Sequence, residues 1–154
     1  MLERRLHLSV LRTPAVTVNR EAMKQDAIVY VLCADKQIRY RKKRSRIVYI
    51  GMTESGVHRV AKSAAERAEA ILKKNGVRSF QAKVVHYSEK LIDMRQTWLK
   101  RPPNLLERAL LIAFAEEYGE KPCCNGSGHN MRPIYGEFER FSRARIGVIL
   151  GELS

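Results

Sequence analysis

The sequence predicts an α+β fold in which a small three-stranded antiparallel sheet is flanked by helices. Two β-branched apolar runs, 27–34 and 46–52, predict adjacent strands, and the alternating run 79–87 predicts a third. Helix-period patterns follow the second run at 55–76 and the third at 104–119. The order strand, strand, helix, strand, helices therefore predicts helices packed on one sheet.

Composition fits one basic domain. The 154-residue chain has the length of a single compact unit, which we assign to 1–154, and its hydrophobic share of 45% excludes global disorder. The formal net charge is +13, from 29 lysines and arginines against 16 acids. A small domain this basic is most often a binder of polyanions. Nucleic acid is the leading partner, ahead of an anionic membrane surface, because no lipidation motif occurs.

The three cysteines, Cys33, Cys123 and Cys124, are odd in number and lack a Cys-x-x-Cys spacing, which argues against a disulfide framework and a zinc knuckle. The vicinal pair can bind metal or react with oxidants, but free thiols in a reduced compartment are the favoured interpretation. The first residues lack the apolar core of a signal peptide, and no stretch is apolar enough to span a bilayer. We expect a soluble, cytoplasmic protein with no membrane partner.

The first elements centre on a hairpin. Residues 6–19 have strand-like content broken by Pro14, which fits an edge strand or an extended arm. The runs 27–34 and 46–52 predict an antiparallel pair. The connection 35–46 is strongly basic, so we expect a long, projecting basic tip.

The helices have recognisable ends. Ser55 is a plausible N-cap of the helix 55–76, and Asn75-Gly76 a plausible stop. Helix 104–119 has the strongest pattern, with Asn104 as cap and Gly119 at its end. The remaining assignments are a short helix at 89–101 ended by Pro102-Pro103, a loop at 120–136, a helix at 137–145, and a strand or interface segment at 146–150.

Glu107 is the most unusual charged residue. It shares a helix face with Leu110, Leu111 and Phe114. An ionised carboxylate there is costly unless a cation meets it, so either an arginine or a metal ion is expected. A buried structural ion pair is the ordinary interpretation. The nearby Glu116 and Glu117 look solvated.

Four further residues have both an ordinary and a functional interpretation. Tyr30 and Tyr49, on neighbouring strands, fit half-buried packing, or contact with a water or phosphate oxygen. Arg59, ten residues past Tyr49, fits a solvated helix face, or an anion site at a helix N-terminus. Asn125 precedes a glycine and fits a turn. Arg67 is interpreted as solvated.

Taken in order, these residues resemble the GIY-YIG nuclease superfamily. Ile28-Val29-Tyr30 is similar to its first motif, although Ile28 replaces the glycine, and Tyr49-Ile50-Gly51 matches its second. The family's helix arginine falls on Arg59, its metal-binding glutamate on Glu107 and its late asparagine on Asn125. The resemblance covers about 27–126, the expected core, with extensions at 1–26 and 127–154. The tyrosines lie nineteen residues apart, farther than is usual, and Ser63 stands where some members have a histidine.

The resemblance implies a metal-dependent DNA endonuclease of a compact restriction, phage or accessory type. Glu107 would hold one Mg²⁺ or Mn²⁺ ion per active site, and Arg59 would neutralise charge on the phosphoryl oxygens. Tyr49 would orient the attacking water or accept its proton, and Tyr30 would bind that water or the phosphate. Asn125 would orient the helix of Glu107 or the substrate backbone. Gly51 would let the chain approach the phosphate.

The basic connection predicts contacts with the DNA backbone, against the ordinary interpretation of a solvated loop. A homodimer is plausible, with 6–19 and 137–150 as candidate interfaces. The alternative function is a catalytically silent nucleic-acid-binding subunit of a larger assembly, and a basic RNA-binding module is a weaker one. The predicted DNA-binding residues here are Arg39, Arg41, Lys42, Lys43, Arg44 and Arg46.

Overall fold

The computed structural model describes residues 7–24, 27–74, 76–85, 102–126 and 140–154. These residues form an α+β fold with a three-stranded antiparallel sheet, as predicted, and three α-helices. The elements in chain order are a short 3₁₀ helix, Arg20–Lys24, then β1 (Ile28–Arg39), β2 (Arg44–Thr53), α1 (Val57–Leu72), β3 (Phe80–Val85), α2 (Pro102–Tyr118) and α3 (Arg140–Leu153).

The sheet has the strand order β2-β1-β3, so β1 lies at its centre. Side chains of β1 alternate between two apolar clusters. Val29 and Val31 pack with residues of α2 and α3, whereas Tyr30 and Leu32 pack with residues of α1. A strand buried on both faces reads as a nearly continuous apolar run, which is why β1 was predictable.

β2 contains an irregularity next to Tyr49. Leu32 pairs with Tyr49 and Cys33 with Ile47, which leaves Val48 without a partner on β1. Val48 and Tyr49 both belong to the cluster that includes α1 residues, as expected when a bulge adds one residue to a strand. Tyr49 lies on the face of the sheet that carries Tyr30 because it pairs with Leu32, two residues from Tyr30, and the bulge places Val48 on that face as well.

The predicted long basic loop is mostly strand. β1 continues to Arg39 and β2 begins at Arg44, so the turn is confined to 40–43, where the amide of Tyr40 donates to the carbonyl of Lys43 at 2.9 Å. Tyr40 is buried and packs edge-on against Phe114 of α2, with ring centroids 5.0 Å apart. This packing holds the hairpin tip against α2, and the prediction that the tip projects was wrong.

Two helix starts differ from the predictions. α1 begins after Gly56, whose φ of 80° marks it as the N-cap, and no side chain caps the helix, so Ser55 is not the cap. α2 begins at Pro102, and Asn104 lies inside its first turn. Proline suits the first turn because its missing N–H has no partner there in any case. The proline pair thus opens this helix.

The helix ends follow the predictions more closely. Gly119, with φ of 86°, follows the last residue of α2 as expected. α1 ends at Leu72, a few residues before the expected stop, and Gly76 has a φ of 78°. Residues 146–150 are helical within α3, because Ile146 and Leu150 bury one face at a spacing of four.

The N-terminal segment 7–19 has no helix or strand and is exposed, which agrees with the extended-arm alternative. Among the described helices, none combines the length and the apolar character needed to cross a membrane. The predicted short helix 89–101, the end of the third strand at 86–87, most of the loop 120–136, and the first residues of the helix 137–145 lie outside the described residues.

Candidate functional site

The two motif tyrosines lie together on one face of the sheet. The ring centroids of Tyr30 and Tyr49 are 5.9 Å apart, with the planes tilted by 41°. The hydroxyl of Tyr30 donates to Oγ of Ser63 on α1 at 2.7 Å. The side chain of Tyr30 also has a hydrogen-bonding interaction with the Tyr49 hydroxyl. Tyr30 thus connects Tyr49 to α1, and the two phenols lie together at the sheet face.

Gly51 provides the space for these rings. It pairs with Tyr30 across the hairpin. A Cβ at this position would lie 2.6 Å from Cε1 of Tyr49 and 3.0 Å from both Cζ and Oη of Tyr30. The prediction explained the missing side chain by the approach of a phosphate. The rings are the structural reason for the glycine, and its contact with nucleic acid stays a prediction.

Arg67 is the cation at the tyrosine pair, and its interpretation as a solvated residue was wrong. Its Cζ lies 3.8 Å from the ring centroid of Tyr49, and its Nη1 donates to Oγ of Ser63 at 2.7 Å. Such cation–π contacts stabilise by about 0.5–2 kcal/mol. The sequence carried one signal for this contact. Arg59, Ser63 and Arg67 are spaced by four, which puts them on one face of α1.

Arg59, the predicted phosphate ligand, occupies a different environment. Its side chain is exposed and has no hydrogen bond or ion pair with a residue in the described part of the chain. It lies in the first turn of α1, where Gly56 supplies no side-chain cap for the free backbone N–H groups. This position leaves Arg59 free to contact an anion in solution, but Arg67 is the cation that packs on Tyr49.

Glu107 is half-buried on α2 and has no hydrogen bond or ion pair with a described residue. Burial raises its pKa above the usual range, and the charge of Arg108 opposes part of that change. The ordinary interpretation, a buried structural ion pair, therefore finds no partner among residues 7–24, 27–74, 76–85, 102–126 and 140–154. A half-buried carboxylate of this kind is suited to binding a cation.

Tyr49 and Glu107 are electrostatically linked. Burial is the main reason that the pKa of Tyr49 is raised to about 12, with Tyr30 and Glu107 adding to the increase and Arg67 opposing it. At neutral pH Tyr49 is therefore an uncharged phenol that donates a hydrogen bond. Of the two predicted roles, orienting a water fits this state, whereas accepting its proton requires a nearby cation to lower the pKa.

Asn125 binds the backbone of β2. Its Oδ1 accepts from the amide of Ile50 at 3.0 Å, and its Nδ2 donates to the carbonyl of Ile50 at 2.8 Å. One residue earlier, the amide of Cys124 donates to the carbonyl of Val48 at 2.9 Å. The expected contact with the helix of Glu107 is replaced by contacts that hold the outer edge of β2 beside Tyr49. No sequence signal beyond the Pro-x-x-Asn context indicated this partner.

The donor set limits which metal the site can hold. In the described part of the chain, no group of three or more His, Cys, Asp or Glu side chains could bind an ion. An ion at Glu107 would be held by one carboxylate together with waters and substrate oxygens. Mg²⁺ often binds in this way, with several waters retained, so Glu107 fits that ion better than one that needs several side-chain ligands.

The predicted DNA-binding residues divide into two groups. At the tip, Nζ of Lys43 pairs with Glu117 at 2.8 Å, and the amide of Arg41 donates to Glu120 at 2.9 Å. Nζ of Lys42 donates to the carbonyl of Glu116 at 3.0 Å. Glu117 is thus paired with the tip. The remaining three have exposed side chains without a hydrogen bond or ion pair to a described residue: Arg39, Arg44 and Arg46.

Comparisons with family models, with curated proteins and with solved structures found no match to this chain. Its function is therefore argued from the site alone.

Proposed function

We propose that this protein is a metal-dependent DNA endonuclease that hydrolyses phosphodiester bonds, and that its resemblance to the GIY-YIG nuclease superfamily reflects this activity. The observation that carries the proposal is the tyrosine pair beside Arg67, with the charge of Glu107 acting on Tyr49. Perturbed titratable groups that lack a structural partner are concentrated at active sites.

The phenol and the carboxylate would have separate tasks. Tyr49, uncharged at neutral pH, would donate a hydrogen bond to the attacking water or to a phosphate oxygen. Glu107 would hold a Mg²⁺ or Mn²⁺ ion, which supplies Lewis-acid stabilisation of the phosphate when bound. Tyr30, which donates a hydrogen bond to Ser63, would hold the ring of Tyr49 in position.

Two arginines would stabilise negative charge. Arg67 lies against Tyr49 and would favour a phenolate or phosphoryl oxygen at that point. Arg59 has a free side chain at the start of the same helix and would bind the phosphate from outside. Both would act through charge and hydrogen bonds, since the reaction needs positioning and electrostatic stabilisation rather than a covalent intermediate.

The free cations of the hairpin would bind the DNA backbone. Arg39, Arg44 and Arg46 have no acidic partner in the described part of the chain. They would contribute to affinity through counterion release and would carry no sequence information. A homodimer that presents two such sites remains a prediction.

Cleavage of supercoiled plasmid in the presence of Mg²⁺ tests the proposal. We expect the wild type to nick the plasmid, Glu107→Gln to lose at least about 100-fold in rate, and removal of Mg²⁺ to stop the reaction. Glu117→Gln is the matched control, because it neutralises a carboxylate on the same helix that pairs with Lys43. Equal cleavage by wild type and Glu107→Gln would show that the assignment of Glu107 as the metal ligand is wrong.

One observation favours the alternative, a nucleic-acid-binding subunit without catalysis. Ser63 accepts hydrogen bonds from both Tyr30 and Arg67, so part of the polar site is closed on itself. In that case the wild type would bind DNA with a strong salt dependence, and neither the wild type nor any variant would cleave it under any divalent ion.

A further inference from the structure

A shallow cavity of about 460 Å³ lies beside the hairpin tip, away from the tyrosine pair. Arg39, Arg44 and Lys74 bring positive charge to its wall, which also includes Glu120 and Cys123. The carboxylate of Glu120 already accepts a hydrogen bond from the backbone amide of Arg41, so its charge is partly satisfied. Arg39 and Arg44 pair directly across the hairpin. The cavity thus combines two unpaired guanidinium groups with one thiol.

The thiol belongs to a vicinal pair held in a fixed arrangement. The two sulfur atoms of Cys123 and Cys124 are 3.8 Å apart. The amide of Cys123 donates to the hydroxyl of Tyr40 at 3.2 Å, and the amide of Cys124 donates to Val48 at 2.9 Å. Cys123 is exposed on the cavity, whereas Cys124 packs against the apolar cluster that contains Tyr49.

The three thiols differ in ionisation. A hydrogen bond from Cys124 lowers the pKa of Cys123 to about 6, and the positive charge of Lys74 acts in the same direction against the effect of burial. The same hydrogen bond raises the pKa of Cys124. Burial raises the pKa of Cys33 to about 11. Of the three thiols, Cys123 therefore has the strongest tendency to form the thiolate, which is the nucleophilic form.

We propose that Cys123 is a site of reversible modification by low-molecular-weight disulfides that carry carboxylates, with Arg39 and Arg44 binding those carboxylates. Guanidinium groups match carboxylates in a bidentate geometry. A charged, solvent-accessible cavity also raises the local concentration of a ligand of opposite sign. This inference is independent of the proposed nuclease activity.

The reaction is a thiol–disulfide exchange. The sulfur of Cys123 attacks one sulfur of the small disulfide, whose S–S bond breaks as the new S–S bond forms. The other half leaves as a thiolate and takes a proton from solvent. Cys123 is oxidised, and the departing half is reduced. A second small thiol reverses the exchange.

The mixed disulfide is expected to persist beside Cys124. Adjacent Cα atoms are about 3.8 Å apart, whereas the two cysteines of an ordinary disulfide have Cα atoms about 4.4–6.8 Å apart. A ring between Cys123 and Cys124 would therefore be strained. It would also disturb the amide of Cys124, which is bonded to β2. The neighbouring thiol thus activates Cys123 without readily displacing the adduct.

Reaction rates with two probes test the inference on the full chain. Dithiobis(nitrobenzoate) carries two carboxylates, and dithiodipyridine is uncharged. We expect one fast thiol with both probes and its loss in Cys123→Ser but not in Cys33→Ser. In the double variant Arg39→Gln/Arg44→Gln, the rate with the anionic probe should fall about tenfold, and the rate with the neutral probe should change less than about twofold.

The neutral probe controls for damage to the fold or to the thiolate. Intact-protein mass spectrometry after equilibration with glutathione disulfide should show one adduct, absent from Cys123→Ser. A fast thiol that survives in Cys123→Ser would overturn the assignment of the nucleophile. Equal slowing with both probes, or no slowing with either, would overturn the role of the two arginines.

Discussion

The two ends of the β1–β2 hairpin use similar residues in opposite ways. At the tip, Tyr40 packs edge-on against the stacked rings of Phe114 and Tyr118, and Lys43 pairs with Glu117. At the other end, the Tyr49 hydroxyl interacts only with the neighbouring phenol of Tyr30, and Glu107 has a carboxylate without a described counterion. The residues of the tip hold two elements together, whereas the tyrosine end leaves a carboxylate without a structural partner.

This difference shows that a high density of charge in the sequence does not locate the charge available to a ligand. The tip contains three consecutive cations, and all three contact α2 or the residues that follow it. The tyrosine end has fewer charges, but Glu107 and Arg67 are half-buried and both act on the pKa of Tyr49. Such coupling is characteristic of functional sites.

Removal of one hydroxyl at each end gives the largest contrast. Tyr49→Phe should lower the rate of DNA cleavage by about 100-fold or more, with a smaller loss in the free energy of unfolding, because the Tyr30 hydroxyl that it contacts keeps its own hydrogen bond to Ser63. Tyr118→Phe should leave cleavage unchanged and cost about 0.5–1.5 kcal/mol of stability, since the Tyr118 hydroxyl donates to Oγ of Ser154 at 2.6 Å.

Plasmid nicking and urea unfolding on the same preparations measure both effects. The contrast fails if Tyr49→Phe cleaves at the wild-type rate, or if both variants lose stability equally.

A methyl group at Gly51 tests the fit of the two rings. Gly51→Ala should destabilise the protein by about 1–3 kcal/mol, because its Cβ would lie within 3.0 Å of both tyrosines. Gly126→Ala is the matched control, since a Cβ there has no atom within 4 Å. Chemical denaturation of both variants gives the comparison, and near-ultraviolet circular dichroism reports the tyrosine packing. An unperturbed Gly51→Ala would mean that the rings can separate freely.

The division among the basic residues predicts different salt dependences. Arg44→Gln should weaken DNA binding and reduce the slope of log affinity against log salt by about 1, because its side chain is free. Lys43→Gln should change that slope much less, because Lys43 pairs with Glu117. Fluorescence anisotropy with a labelled duplex, at several salt concentrations, measures both slopes. Equal slopes for the two variants would show that the ion pair opens when DNA binds.

The smallest effect concerns the pH dependence of stability. Because the folded-state pKa of Glu107 is raised, the native state binds more protons than the unfolded state between the two pKa values. The contribution of Glu107 to stability therefore falls as pH rises through this window. Glu107→Gln should be more stable than wild type at neutral pH, and the difference should vanish at acid pH.

Mg²⁺ extends this test to metal binding. The ion should raise the thermal midpoint of wild type at neutral pH and leave that of Glu107→Gln unchanged, because only the carboxylate holds it. Calorimetry with and without Mg²⁺ measures the shift. If Mg²⁺ does not change the thermal midpoint of the wild type, the ion does not bind to the protein in the absence of DNA.

The strands and the tyrosine pair were predictable because their signals are local. β-branched runs predict β1 and β2, and the triplet Tyr49-Ile50-Gly51 lies within the second of these runs. Tyr40 was not placed, because its burial depends on rings supplied by α2 more than seventy residues later. Basic neighbours dominated its local pattern, and a tertiary contact overrode that pattern.

Arg67 and Asn125 show the same limit at the candidate site. An arginine on an alanine-rich helix gives no local indication that it packs on a tyrosine from another element. An asparagine before a glycine predicts a turn, and Asn125 does end one, with its backbone N–H donating to the carbonyl of Pro122 at 3.0 Å. The turn does not indicate that the side-chain amide also binds the backbone of β2. Side chains with two possible environments are placed by long-range packing, which a single sequence does not specify.

The amide of Asn125 completes the edge of the sheet as a further strand would. Sheet edges with free N–H and C=O groups act as templates for strands of other molecules, and proteins protect them against aggregation. Here one side chain and the peptide of Cys124 give that protection to β2. Substitution of this single asparagine would therefore leave the N–H and C=O groups of Ile50 open to pairing with a strand of another molecule, even if every buried residue of the domain remained in place.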